Sequence, residues 1–304
     1  MPRAPEAGET VLGIDIGGTK IAAGLVSAEG VVLRSRTART PAREGAAAVL
    51  AQAVRLAREV CAEGGEIVAC GVGSAGTIDA EGVVTHATAA LPGWIGTDLR
   101  SAFSSALRLP VRVLNDVHAW ALGEARFGAA AGAEDALVVT VGTGVGGAIV
   151  REGRVVRGAT NSAGAIGHIP APSPLPGRAA RPRRCPCGRI GHLEAYASGP
   201  GILATFRERG GTADDLASME GGLADEVIDE AATLLGRALA GVITVLDPEI
   251  VVIGGGVARL GERLLLPLAR AVGREALPGP DRVTIRPAAL ASAGGVVGAA
   301  AAAM

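Results

Sequence analysis

Val11-Leu12-Gly13-Ile14-Asp15-Ile16-Gly17-Gly18-Thr19-Lys20-Ile21-Ala22-Ala23-Gly24-Leu25-Val26 is an apolar run, a glycine turn and a second apolar run. Two such runs around a short glycine turn read as a β-hairpin. Glu29-Gly30 and Val31 to Leu33 add another turn and strand. The same order recurs downstream. Leu137 to Val141 leads into Gly142-Thr143-Gly144-Val145-Gly146-Gly147, then Ala148 to Val150, Glu152-Gly153 and Val155-Val156. Two copies of one meander point to an internal duplication. A dinucleotide fingerprint is excluded, because that motif needs a helix to open directly after its glycines, whereas a β-rich run follows here. Paired glycine hairpins suit a grip on phosphate, since backbone N–H groups reach anionic oxygens where no Cβ intervenes.

Between the copies, Val49, Leu50, Ala53, Val54, Leu56, Ala57 and Val60 recur at helical spacing within Gly45 to Glu63. Ile67 to Val72 reads as a strand running into Gly73-Ser74-Ala75-Gly76, and Val111 to Leu114 as another that ends at Asn115-Asp116. Ala119 to Ala125 continues as helix. Ile250 to Ile253 is a strand ending at Gly254-Gly255-Gly256, and Ala291 to Ala303 reads as a closing helix. Polar groups at the carboxyl ends of strands are the signature of an α/β sheet that binds its ligand there.

Composition narrows the function. The 304 residues are 49% hydrophobic but only 2% aromatic, so Val, Leu, Ile and Ala must close the cores. A net charge of −1 gives no field that would draw the chain to nucleic acid or an anionic membrane. The longest apolar stretch, Ala136 to Val150, holds four glycines and falls short of the ~20 residues that span a bilayer. The opening MPRAPEAGET lacks the apolar core of an export signal, and a cytoplasmic protein with a small polar ligand is expected. Lys20, the sole lysine, lies in the first glycine motif.

His168 and the run Cys185-Pro186-Cys187-Gly188-Arg189-Ile190-Gly191-His192-Leu193-Glu194 bring two thiols and two imidazoles into one short stretch. Zinc takes four such ligands in a closed structural site. A Cys185–Cys187 disulfide would close a small strained ring. Two of the chain's four histidines flank this one cysteine pair, which favours the metal. Pro170 to Pro186, with six prolines and four arginines, reads as a loop unless the metal pins it.

These motifs, Asp15-Ile16-Gly17-Gly18-Thr19-Lys20, Leu114-Asn115-Asp116, Val141 to Gly147, Gly167-His168, the Cys-x-Cys-Gly segment and Gly254-Gly255-Gly256, stand in the order of the ROK family (repressors, open reading frames, kinases). The chain resembles that family over nearly its whole length. The resemblance implies an α/β, two-domain actin-like ATPase (ribonuclease H-like) fold whose inter-domain cleft binds ATP and a sugar. A small domain over 1–117, joined by the C-terminal helix 290–304, and a larger one over 118–289 with the zinc loop are expected. The implied cofactors are ATP with Mg2+ and a structural Zn2+. A homo-oligomer is expected, with no nucleic-acid or membrane partner.

Carried over by resemblance, Asp116 is the general base on the sugar hydroxyl and Asn115 a sugar ligand. Asp15 orients Mg-ATP, while Gly17, Gly18, Thr19 and Lys20 line the first phosphate turn and Gly142, Thr143 and Gly144 the second. Gly254, Gly255 and Gly256 resemble the adenosine segment. His168, Cys185, Cys187 and His192 are the zinc ligands, with His168 and Glu194 also on the sugar. Gly76, Trp94 and Asp98 resemble the wall of the sugar site, Trp94 reading equally as core. A capped turn at Asn115-Asp116 and a solvated helix position for Glu194 are the plain alternatives.

The chain departs from the family at three places. Ala165 stands where the family carries a sugar-binding glutamate, Ala90 where asparagine is common, and His192 where a third cysteine is usual. An ATP-dependent kinase acting on the 6-hydroxyl of a hexose is the leading expectation, with a slight preference for an amino-hexose such as kanosamine. A plain glucokinase and a silent sugar-binding protein are the alternatives. A sugar-responsive repressor is set aside, because the ten residues before Val11 leave no room for a helix-turn-helix domain. Arg178, Arg181, Arg183 and Arg184 read as a solvated loop ahead of a polyphosphate site.

Overall fold

The computed structural model describes residues 6, 8–62, 64–88, 90–172 and 182–304. The opening hairpin forms from β1 (Thr10–Ile16) and β2 (Lys20–Ser27), paired antiparallel with Asp15 opposite Ala22. Both strands are buried along nearly their whole length, as unbroken apolar runs require of strands covered on both faces. β3 (Val32–Arg39) extends well beyond Leu33 on the far side of β2. Its arginines are exposed at the sheet edge, where charge discourages pairing with another chain.

α1 (Ala46–Ala62) turns Val49, Ala53, Leu56, Ala57 and Val60 inward. β4 (Ile67–Ser74) lies parallel to β1, with Gly73 opposite Asp15. A small ribbon, β5 (Thr77–Ile78) and β6 (Val84–His86), and α2 (Leu99–Leu107) lead to β7 (Val111–Asn115), parallel to β4. α3 (Asp116–Phe127) starts where β7 ends. The sheet order is β3-β2-β1-β4-β7, over a core that includes Leu12, Ile14, Ile16, Trp94 and Phe103.

The duplication is visible in the second sheet. β8 (Asp135–Val141), β9 (Val145–Arg151) and β10 (Arg154–Val155) repeat the meander. After α4 (Glu194–Ala197), α5 (Gly199–Glu208) and α6 (Gly222–Leu246), β11 (Ile250–Gly254) joins parallel to β8. α7 (Glu262–Glu275) and β12 (Thr284–Pro287) complete it in the order β10-β9-β8-β11-β12, strand for strand that of the first sheet. Leu137, Val139, Leu235, Leu239, Ile253 and Leu268 belong to its core.

The last helix, α8 (Gly294–Ala301), packs on β1, β4 and α3. Its approach depends on missing side chains. A Cβ on Gly13 would overlap Val296 O, and one on Gly71 would overlap Ala299 O. The chain divides into two compact units, Met1–Gly132 with Val150–Ala163 and Ala289–Met304, and Ala133–Ile149 with Gly164–Ala288. Relative to a division at 117/118, the first unit extends through α3 and takes back Val150–Ala163, and it contains α8. Among the described residues no helix is long and apolar enough to cross a membrane.

Candidate active site

In the first unit, the carboxyl ends of β1 and β7 bring Asp15 and Asp116 together. Asn115 caps α3, its Oδ1 accepting from the backbone N–H of Val117 (3.0 Å) and His118 (3.2 Å). Its Nδ2 donates to Gly76 O (2.9 Å) and to Asp116 Oδ1 (2.8 Å). The capped-turn reading is therefore correct, and the cap is also what aims Asp116. Gly76 enters through its carbonyl. Asp116 Oδ1 also accepts from Val117 N at 2.9 Å.

Burial raises the Asp116 carboxyl above its ordinary range, against the hydrogen bonds from Val117 and Asn115. Asp15 is pushed up to about 7, by burial first and by the Asp116 charge second, with Lys20 opposing. Two carboxylates held close in partial burial resist ionising together. Such a pair can take a proton from a bound hydroxyl and can face a cation.

The first glycine turn closes through Gly17 N donating to Lys20 O (3.0 Å) and is tied down by Thr40, whose Oγ1 donates to Gly17 O (2.7 Å). Thr19 and Lys20 are left exposed. Ala90 lies against this turn, its Cβ 3.2 Å from where a Cβ on Gly18 would stand. Trp94 is fully buried and donates from Nε1 to Ser74 Oγ (3.1 Å), so it is core and not a stacking surface. Asp98 caps α2 by accepting from Ser101 N (2.9 Å).

In the second unit, the turn after β8 closes through Gly142 N to Gly144 O (2.8 Å), and Gly199 N donates to Gly142 O (2.8 Å). Gly254 pairs with Thr140, and a Cβ on Gly142 would lie 3.6 Å from Gly256 N, so Gly142, Thr143, Gly144 and Gly254 to Gly256 form one glycine-lined surface. Glu194, at the start of α4, is 8% exposed and so is not a solvated helix residue. Its Oε2 accepts from Val145 N (2.9 Å) and its Oε1 from Cys185 Sγ (3.6 Å). Sequence reading missed the tie to Val145, since nothing local marks a contact across so much chain.

The proposed metal ligands converge. One donor atom from each of His168, Cys185, Cys187 and His192 lies within 4.8 Å of every other. Cys185 Sγ is 3.5 Å from His168 Nδ1, and Cys187 Sγ is 3.2 Å from His192 Nδ1. Zinc bonds of ~2.3 Å to sulfur and ~2.0 Å to nitrogen place tetrahedral neighbours ~3.5 Å apart, so the set fits that ion. Backbone pairing builds it. Gly191 N donates to Arg183 O (2.9 Å) and Leu193 N to Ile169 O (3.0 Å), which lays the 183–193 ribbon beside His168. Burial, chiefly, pushes the Cys185 thiol up to about 12, so an incoming metal must displace its proton.

Ala165 is exposed just before the short helical turn that carries His168. Arg183 is structural: its guanidinium donates to Gly201 O (3.0 Å) and Glu208 Oε2 (2.6 Å) and stands over the Tyr196 ring. Arg184 donates to Gly188 O (2.9 Å). Arg178 and Arg181 lie outside the described residues.

The sequence profile of the ROK family matches residues 11–304. The chain is 32% identical to the glucokinase of Thermotoga maritima over 95% of its own length and 96% of the relative's. It is 30% identical to an N-acetylgalactosamine kinase of a Shewanella species over 95% and 94%. Among solved structures, the ROK family glucokinase of Streptomyces griseus in complex with glucose and AMPPNP superimposes with a TM-score of 0.81 at 32% identity, covering 96% of this chain and 98% of that one.

Proposed function

Since the chain belongs to the ROK family, we propose that this sugar kinase transfers the γ-phosphoryl group of ATP to the 6-hydroxyl of a hexose, with an amino-substituted glucose such as kanosamine preferred over glucose. Its fold is the two-domain actin-like ATPase fold. The observation that carries the transfer chemistry is the Asp15–Asp116 pair at the carboxyl ends of β1 and β7, the strands on either side of β4.

In this reading Asp116 is the base. Phosphoryl transfer asks the protein mainly for positioning and charge stabilisation, and Asp116, once ionised, draws the hydroxyl proton while its oxygen is oriented by Asn115. Asn115 sits beside it against Gly76 O. Asp15 and Lys20 meet the metal-bound phosphates, which Mg2+ neutralises when it arrives with ATP. The N–H groups of Gly17, Gly18 and Thr19 and those of Gly142, Thr143 and Gly144 line the two phosphate turns, and Gly254, Gly255 and Gly256 the adenosine side. Glu194 accepts from a sugar hydroxyl, and His168, whose ring nitrogen away from the metal carries hydrogen, donates to one. Zn2+, when held by His168, Cys185, Cys187 and His192, would supply a rigid cross-link that fixes His168 and the start of α4. A homo-oligomer in the cytoplasm completes the proposal, and light scattering checks the assembly.

The sugar preference rests on Ala165, an exposed methyl where the family's glutamate would contact ring hydroxyls. A site built to bond a hydroxyl rejects an analogue that lacks it, and a site without that partner loses the discrimination. Kanosamine, then other amino-glucoses, should show a higher kcat/KM than glucose in a panel assayed with Mg-ATP, by roughly tenfold. Ala165→Glu should narrow or reverse the order. Wild-type preference for glucose over every amino-sugar would restore the plain glucokinase.

A further inference from the structure

The turn that carries Asn115 and Asp116 is gripped from both sides by one surface segment, residues 157–163. Upstream of the turn, Arg157 donates from Nη2 to Val113 O at 3.4 Å. Downstream, the His118 ring stands 3.0 Å by Nε2 from Ala163 O. The segment is closed on itself between these grips, Ala163 N donating to Arg157 O at 3.0 Å. Chain 113–118 and chain 157–163 thus form a ring of hydrogen bonds around Asn115-Asp116, wholly within the first unit.

The chemistry of the ring assigns the proton. A carbonyl oxygen only accepts, so His118 Nε2 must carry hydrogen. The side chain is 4% exposed, and burial, with the Arg157 charge adding, holds the imidazole below its ordinary pKa and therefore neutral at pH 7. Arg157 has Arg112 and Arg100 for neighbours, an unfavourable setting that its grip on the Val113 carbonyl helps to offset. A histidine is not needed to build this part of a helix, since the Asn115 cap already satisfies the first N–H groups of α3. The ring reaches past the helix to hold a second chain segment.

We propose that His118, with Arg157, is a positioning residue for the phosphoryl transfer, bracing the Asn115-Asp116 turn through the 157–163 segment so that the Asp116 carboxylate keeps its aim. The proposal rests on the reading of Asp116 as the base. Displacing a reacting group by about an ångström costs on the order of a hundredfold in rate, so a loosened turn registers in turnover before it registers in substrate affinity.

The test compares His118→Ala, His118→Gln and Arg157→Ala with wild type, reading kcat, both KM values and the melting temperature. His118→Ala should lower kcat on the order of ten- to hundredfold, with the KM for ATP within about twofold. His118→Gln, whose amide can still donate to Ala163 O, should recover most of the loss. Arg157→Ala should act in the same direction, and the double alanine variant should be little worse than His118→Ala alone, because both cut one ring. If His118→Ala fails to fold, Arg157→Ala and the glutamine variant carry the comparison. An alanine variant that turns over within about twofold of wild type, or a kcat loss that glutamine does not repair, overturns the brace. Wild-type protein that phosphorylates no sugar would instead overturn the kinase reading itself.

Discussion

The two five-stranded sheets share one strand order, yet their strand ends carry different chemistry. β1 and β7 end in side chains, Asp15, Asn115 and Asp116. β8 and β11 end in glycines, Gly142 to Gly144 and Gly254 to Gly256. The position of Asp15 in β1, one residue before the strand ends, is taken in β8 by Thr140. One meander thus recurs in both sheets, and the two differ in a few side chains at the strand ends of the first. General-base chemistry needs a side chain that can take a proton, whereas a phosphate needs only donors that can come close.

The sharpest way to break the comparison is Asp116→Asn, which removes the proposed base from the first sheet. Asparagine fills the same volume but cannot take the proton, so kcat should fall on the order of a thousandfold. Both substrate KM values should stay within about tenfold of wild type. Turnover within tenfold would remove Asp116 from the role.

Next in size is the proposed zinc site, whose four ligands all lie in the second unit. Cys187 is exposed, so Cys187→Ser tests ligation with less damage to packing than Cys185 would suffer. Elemental analysis should find about one zinc per wild-type chain and little in the variant, and the sugar KM should rise roughly ten- to hundredfold as His168 and Glu194 lose their support. Full activity of metal-free protein in chelator would sink the zinc assignment.

Smaller still is the contrast between the two turns. A Cβ on Gly144 would stand 2.5 Å from Glu194 Oε2, a carboxylate already held by Val145 N–H, whereas one on Gly18 would meet Ala90 Cβ at 3.2 Å. Gly144→Ala must push Glu194 off its donor, at about 1–3 kcal/mol for a stranded buried group. Gly18→Ala needs only a shift of a few tenths of an ångström. We expect Gly144→Ala to raise the sugar KM about tenfold and Gly18→Ala to change it less than threefold, figures that follow from those costs. Equal effects would mean that Glu194 is not held by the turn.

The hairpins were legible because glycine turns between apolar runs are a local signal, and the metal cluster because its donors crowd one stretch. β3 beyond Leu33 was not, since Arg34-Ser35-Arg36-Thr37 lies on a solvated edge where apolar periodicity has nothing to record. α6 could have been read, since Ala224, Val227, Ile228, Ala231, Ala232, Leu235, Leu239 and Ile243 recur at helical spacing and form its buried face. In the site, residue types at strand ends could be read directly. Trp94 could not be placed, because an indole serves a core and a sugar face equally well. The ties of His118 to Ala163 and of Glu194 to Val145 end on backbone atoms, which leave no residue-type signature at the far side.

The mildest prediction uses pH to separate the two sheets. The folded protein raises the Asp15 carboxyl from its ordinary value to about 7, so the folded state favours its protonated form while the unfolded chain ionises near the ordinary value of about 4. By linkage, the resulting loss of stability is absent below about pH 4, accumulates as pH rises to about 7, and is constant above that. Asp15→Asn removes the charge and with it the pH-dependent loss. The variant's melting temperature relative to wild type, without ligands, should therefore climb between pH 4 and pH 8, by a few degrees. Thr140→Val at the matching place in β8 is the control, because neither residue titrates and its offset should not change over that range. The slope belongs to the Asp15–Asp116 pair and not to Asp15 alone, so Asp116→Asn should flatten part of it. A pH-independent offset for Asp15→Asn would show that the first sheet's carboxylates ionise as freely as surface groups, and the electrostatic contrast between the two sheets would be lost.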